Sequence, residues 1–197
     1  MSQDERVRVG RRLRELRLAA GLTQAELAGR RFSHAYVSVL EAGRREPSKA
    51  TVEYFARRLG VAVEELWGEK GASWALQMAE DLRAEGLHEK SRDLLARTLT
   101  NLERDRELDP RVLVVLHREL GRIDQHRDPQ SAKTHLNQAL DLAGDRESLM
   151  AERAEIMVML ADLLDVEGLT DEVVRYLRAA ADLFLELAGR RANLTGA

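Results

Sequence analysis

Residues 21–48, GLTQAELAGRRFSHAYVSVLEAGRREPS, decide how the first part of this 197-residue chain is read. Thr23 is a good N-cap, since its hydroxyl accepts from backbone N–H groups that the first helical turn leaves unpaired. Glu26, three residues on, completes a capping box, so a helix is predicted to start at Gln24. Leu27 and Ala28 give that helix its buried side. Phe32 falls in a turn, and Ser33 caps a second helix in which Val37 and Leu40 share an inward face. Gly43 is placed to end it. Working outward, Arg44, Arg45, Pro47 and Ser48 make a basic loop, and Ser48 caps a further helix carrying Val52, Phe55, Ala56 and Leu59 at helical spacing. On the other side, a helix over Val7–Ala20 buries Val9, Leu13 and Leu16.

Two short helices joined by a tight turn form the arrangement in which one helix crosses a DNA backbone and the next presents its outer face to base edges in the major groove. The set LRELR, GLTQAELA, YVSVLEAGRREPS and LGVAVEELW, spread over Val9–Trp67, resembles the lambda-repressor and Cro-like (xenobiotic-response-element type) helix-turn-helix regulators. The resemblance implies a five-helix DNA-binding domain. By position it implies that Gln24 bonds a phosphate, that His34, Ala35, Ser38 and Val39 read bases, and that Arg17 and Glu41 form a buried ion pair. Arg44, Arg45 and Lys49 of the basic segment are expected on phosphates. One departure stands out: the family places a glycine in the turn between the two helices, where left-handed backbone is needed. Here the turn reads Gly29, Arg30, Arg31, Phe32, Ser33, one residue shorter.

A net charge of −3 suits a DNA binder poorly until it is divided. Residues 1–62 hold 13 Lys or Arg against 7 Asp or Glu, and the remainder holds 18 against 27. Charges more than about 8–10 Å away are largely screened at physiological salt, so the acidic part need not cancel the attraction of the basic head for phosphate. No apolar run approaches the roughly 18 residues that span a bilayer, and the polar start MSQDERVRVG does not read as a signal peptide. The chain has no cysteine, which excludes disulfides and thiolate metal sites. A cytoplasmic location is expected, without a membrane partner.

Beyond Trp67 the two glycines of GEKGAS read as a linker at 69–73, closing a DNA-binding domain at 1–68. The remaining segment, 74–197, shows helical periodicity throughout, with spans Trp74–Ala84, His88–Asp105, Arg111–His126, Pro129–Ala143, Ser148–Val166 and Thr170–Gly189. Three of these align at an offset of 41 residues, matching Ser91 with Ala132 and Val173, Leu95 with Leu136 and Leu177, and Thr98 with Ala139 and Ala180. In the preceding helices Ala79, Leu120 and Ala161 correspond, as do Leu82, Ile123 and Leu164. A compact residue, a leucine four on and another compact residue three further is what a helix needs to pack closely on an antiparallel neighbour. The pattern resembles a tetratricopeptide array of three repeats, about 74–105, 111–143 and 148–189, although the period exceeds that family's 34 residues and its aromatic signature is mostly missing. The fold class is thus all-α: a five-helix head before a six-helix array of three pairs.

No catalytic constellation is legible. His88, His117, His126 and His135 lack ligand spacing, so neither a metal nor any cofactor is expected. Tyr36 is read either as a phosphate contact or as a cap on the edge of the small core, and Trp67 and Trp74 as packing residues. The function expected is that of a sequence-specific transcriptional regulator, a non-enzymatic repressor binding double-stranded DNA as a homodimer on a two-fold symmetric operator. The distal helices are expected to dimerise it, to sense a peptide or protein effector in a groove near Gln77, Glu119 and Met157, or to do both. The competing expectation is an interaction adaptor, in which the array holds a partner protein and the head is a docking unit.

Overall fold

Ser2 and Glu5 exchange hydrogen bonds and start the first helix, α1 (Gln3–Ala19), a full turn before its apolar pattern begins. That polar turn is why the apolar spacing alone predicts a start at Val7. The structure, a computed structural model, describes residues 2–103 and 108–195; among them the chain forms eleven α-helices and no strand, divided between the units Met1–Ala75 and Leu76–Ala197.

In the first unit, α2 (Gln24–Ala28) is opened by a reciprocal cap: Thr23 Oγ1 accepts from Glu26 N–H at 3.2 Å, and Glu26 accepts from Thr23 N–H at 2.7 Å. Gly29 ends it with φ 59°, so the glycine needed for left-handed backbone stands at the start of the short turn. Next come α3 (His34–Glu41) and α4 (Lys49–Leu59), capped by Ser33 and Ser48, and α5 (Val63–Trp67) closes the domain. Leu13, Leu27, Val37, Leu40, Val52 and Phe55 fill one core. α1 lies so close to α3 that a Cβ on Gly10 would stand 2.4 Å from the Leu40 carbonyl oxygen.

The segment expected to be a linker is helical. α6 runs Glu69–Ala84 rather than from Trp74, and the boundary between the units falls inside it, after Ala75. Two glycines close together suggest a break, yet one of them serves packing: a Cβ on Gly71 would come within 2.4 Å of Glu64 Cα. Ala72 and Ala75 beside it are buried.

The second unit continues with α7 (His88–Leu102), α8 (Pro110–Asp124), α9 (Pro129–Ala143), α10 (Met150–Val166, entered through a short 3-10 turn at Glu147–Leu149) and α11 (Thr170–Thr195). Asp105, expected at the end of α7, lies outside the described residues. α8 packs on α9 and α10 on α11, with α7 against α8 and α9 against α10. Ser91 donates its hydroxyl to the Ala79 carbonyl at 2.7 Å and joins α7 to α6. Small residues allow these approaches, since a Cβ on Gly121 of α8 would meet the Leu136 side chain at 2.7 Å. The repeat positions Ser91 and Ala132, Leu95 and Leu136, and Thr98, Ala139 and Ala180 are all buried. In the third pair Leu177 departs from the pattern and is 44% exposed.

Candidate nucleic-acid interface

On α3 a periodicity of about 100° per residue separates two faces. Val37 and Leu40 are buried, while His34, Ala35 and Ser38 are exposed and Val39 is half-buried. The four residues expected to read bases thus occupy one arc of about 140° on a helix whose opposite side is anchored in the core. This face carries a hydrogen-bonding imidazole, a hydroxyl and two apolar side chains, the kinds of groups that meet base edges and thymine methyls.

The rigidity of that face comes from behind it. Arg17 of α1 grips Glu41 at the end of α3 by two parallel hydrogen bonds, Nε to Oε1 at 2.5 Å and Nη2 to Oε2 at 3.0 Å, and also donates to the Leu22 carbonyl at 2.8 Å. Gln24 joins the same cluster, its amide nitrogen donating to Glu41 Oε2 at 2.9 Å. Burial alone would raise the Glu41 carboxyl, but the hydrogen bonds from Arg17 and Gln24 outweigh it and hold the group below the ordinary carboxylate value. Arg17 is correspondingly raised, mainly by its bond to Glu41. The amide of Gln24, placed among the phosphate contacts by position, is thus committed to the ion pair as the structure stands.

Around the arc lie exposed cations. Arg44 and Arg45 come directly after α3, and Lys49 opens α4. Arg45 sits over the Tyr36 ring at 5.4 Å and Lys49 over Trp74 at 4.8 Å, so both are held on aromatic faces with their charge presented to solvent. Tyr36 is stacked on Phe32 at 5.0 Å, at the edge of the core. Arg31 of the turn, outside the set expected from sequence, lies 5.7 Å from the Phe32 ring and 5.4 Å from Tyr54. Its signal in the sequence is the unbroken pair Arg30–Arg31 beside the cap of α3.

A family model described as a helix-turn-helix domain matches residues 8–66. An uncharacterized HTH-type transcriptional regulator of Sinorhizobium fredii, y4dJ, is 45% identical over 64 residues, which cover 32% of this chain and 83% of that protein. The chain belongs to the HTH-type transcriptional regulators. It also aligns with the crystal structure of Bacillus thuringiensis PlcR in complex with the peptide PapR7 and DNA, covering 96% of this chain and 98% of that one at 12% identity and a TM-score of 0.47.

In the helical domain of this regulator, Glu119 lines a groove of about 440 Å³ with Arg118, Arg122, Glu155, Val158, Met159 and Phe184. Three arginines surround its carboxylate: Arg83 at 3.9 Å, Arg118 at 3.2 Å and Arg122. Met157 is half-buried and is not among the residues that line the groove, and Gln77 is exposed, bonding Asp81 at 3.3 Å. The structure therefore places only Glu119 of these three in the groove. It also brings His117 of α8 and His135 of α9 together, Nδ1 to Nδ1 at 3.1 Å. Sequence spacing conceals that pair because its members stand on different helices, 18 residues apart. Among the described residues no group of three metal-ligating side chains is assembled.

Proposed function

We propose that this chain is a sequence-specific, non-enzymatic repressor that binds a two-fold symmetric operator as a homodimer in the cytoplasm. The observation that carries the reading is the exposed arc of His34, Ala35, Ser38 and Val39 on a short helix fixed from behind by the Arg17–Glu41 pair. A rigid helix with mixed polar and apolar side chains on its free face fits the major groove, where His34 and Ser38 bond base edges and Ala35 and Val39 meet thymine methyls. Arg44, Arg45 and Lys49 set the register on the phosphates, and Gln24 reaches a phosphate when its bond to Glu41 is exchanged. One reading helix covers few base pairs, so two half-sites a helical turn apart supply the specificity.

The helical domain joins two such heads and takes a peptide or protein effector in the groove around Glu119. Selection of genomic fragments by the purified protein, with titration of binding against salt, tests the reading. Recovery of a recurrent two-fold site whose affinity falls steeply with salt supports it. Absence of any duplex binding at low salt rejects it in favour of an adaptor.

A further inference from the structure

α11 is apolar over more of its circumference than its packing on α10 uses. Val173, Tyr176, Ala180, Leu183 and Leu187 form a row that is buried or half-buried. Beside it runs a second row, Val174, Leu177, Ala181, Phe184 and Ala188, spaced alternately three and four residues apart and exposed along its length. Val174, Leu177 and Phe184 are 40%, 44% and 43% exposed, and Leu185 at the margin is 70% exposed; Phe184 also borders the groove around Glu119, so the seam adjoins that groove. Three–four spacing is the seam along which one helix lies against another with interlocking side chains. Two positions of the row are covered where the repeat recurs: Leu136 and Ala143 of α9, equivalent to Leu177 and Phe184, are fully buried.

We propose that this second row docks a second copy of the chain, α11 against α11, antiparallel across a two-fold axis. The proposal rests on the two-headed reading above and specifies the face that joins the heads. A two-fold interface requires a patch complementary to itself, a demand that an unrelated partner does not impose. With the axis passing between Asp182 and Leu183, Leu177 stands opposite Ala188 of the other copy and Ala181 opposite Phe184. Both of these layers set a large side chain against a small one, which lets two helices close at uniform volume. The strip that both copies share, from Leu177 to Ala188, is roughly 17 Å long, and two such strips remove on the order of 650–800 Å² from water, the scale of a weak, reversible contact. Heads on neighbouring half-sites make that contact intramolecular, at an effective concentration of roughly millimolar, so dimerisation and operator binding reinforce each other.

Sedimentation equilibrium of the full chain between about 1 and 100 μM, with circular dichroism as a check on folding, tests the seam. The wild type is expected to show a monomer–dimer equilibrium. L177E should weaken it about 100-fold at unchanged helicity, and L177A alone by less. L177A combined with A188L keeps one large and one small side chain in the layer and should recover the loss. A wild type that stays monomeric, an L177E chain that dimerises normally, or a double variant no better than L177A overturns the proposal. Retention of sheared genomic DNA at low salt is read on the same samples. L177E that is monomeric yet still retains DNA supports the seam and leaves the DNA-binding reading standing. Dimerisation of the wild type without any DNA retention supports the seam and removes that reading.

Discussion

Arg17 and Glu41 are locked by two parallel hydrogen bonds, with side chains only 9% and 5% exposed, so the first helix of the head holds the end of the helix that carries the exposed arc. Removing one partner leaves the other charged and buried. R17A is expected to cost about 3–5 kcal/mol and to lower the Tm of the head by roughly 10 °C or more in calorimetry. R17M combined with E41L should be far milder, because no charge is stranded. Since the Glu41 carboxyl is held below its ordinary value, its stabilisation is complete above the carboxylate range and disappears as pH falls through the lowered value. A double variant as unstable as R17A would show that packing rather than stranded charge sets the cost.

The exposed arc of α3 and its basic surround should separate in mutant binding data. H34A and S38A are expected to change which bases are preferred, each by about 1–3 kcal/mol at the affected position. R44A, R45A and K49A should weaken all sequences alike, each flattening the dependence of log affinity on log salt by about one unit. Titrations of selected and scrambled duplexes at several salt concentrations measure both. Unchanged base preference in both H34A and S38A would move the reading register along α3.

His117 supplies an acid-sensitive point in the helical domain. Burial first, and then the neighbouring His135, lower its pKa from 6.5 to about 4. The unfolded chain therefore takes up a proton that the folded chain refuses as pH falls below 6.5. Stability is unaffected by this group above pH 6.5 and declines between there and about pH 4, by on the order of 3 kcal/mol. Urea unfolding across this range should show the decline, and H117Q, which keeps a hydrogen-bonding group facing His135 but cannot take up the proton, should show less of it.

Gly71 is expected to tolerate no side chain. G71A would press a methyl group onto the Glu64 backbone, where a Cβ stands 2.4 Å from Cα, and should cost at least about 1–3 kcal/mol. Gly189 of α11 is the control, because a methyl group there would meet nothing within 4 Å: G189A should be neutral or slightly stabilising. Equal effects of the two substitutions in thermal unfolding would mean that the close approach of α5 and α6 is not maintained in solution.

The head was legible because its information is local. Thr23 with Glu26, Ser33 and Ser48 cap helices within three residues of themselves, and the spacing of Val37 and Leu40 turns His34 and Ser38 outward before any tertiary contact is considered. The 41-residue recurrence likewise marked the helix pairs, since small residues at fixed intervals are needed wherever two helices approach closely. Only the tertiary structure decided what covers each position. Gly71 reads as a break in isolation, yet it lies inside a helix at the point where Glu64 leaves no room for a side chain; Gln24 is drawn to Glu41 from another helix; His117 meets His135 across an antiparallel pair. Leu177 has the sequence context of Leu136 and the opposite exposure. Periodicity determines the direction in which a side chain leaves its helix, but burial and pairing depend on residues distant in the chain, which no local pattern contains.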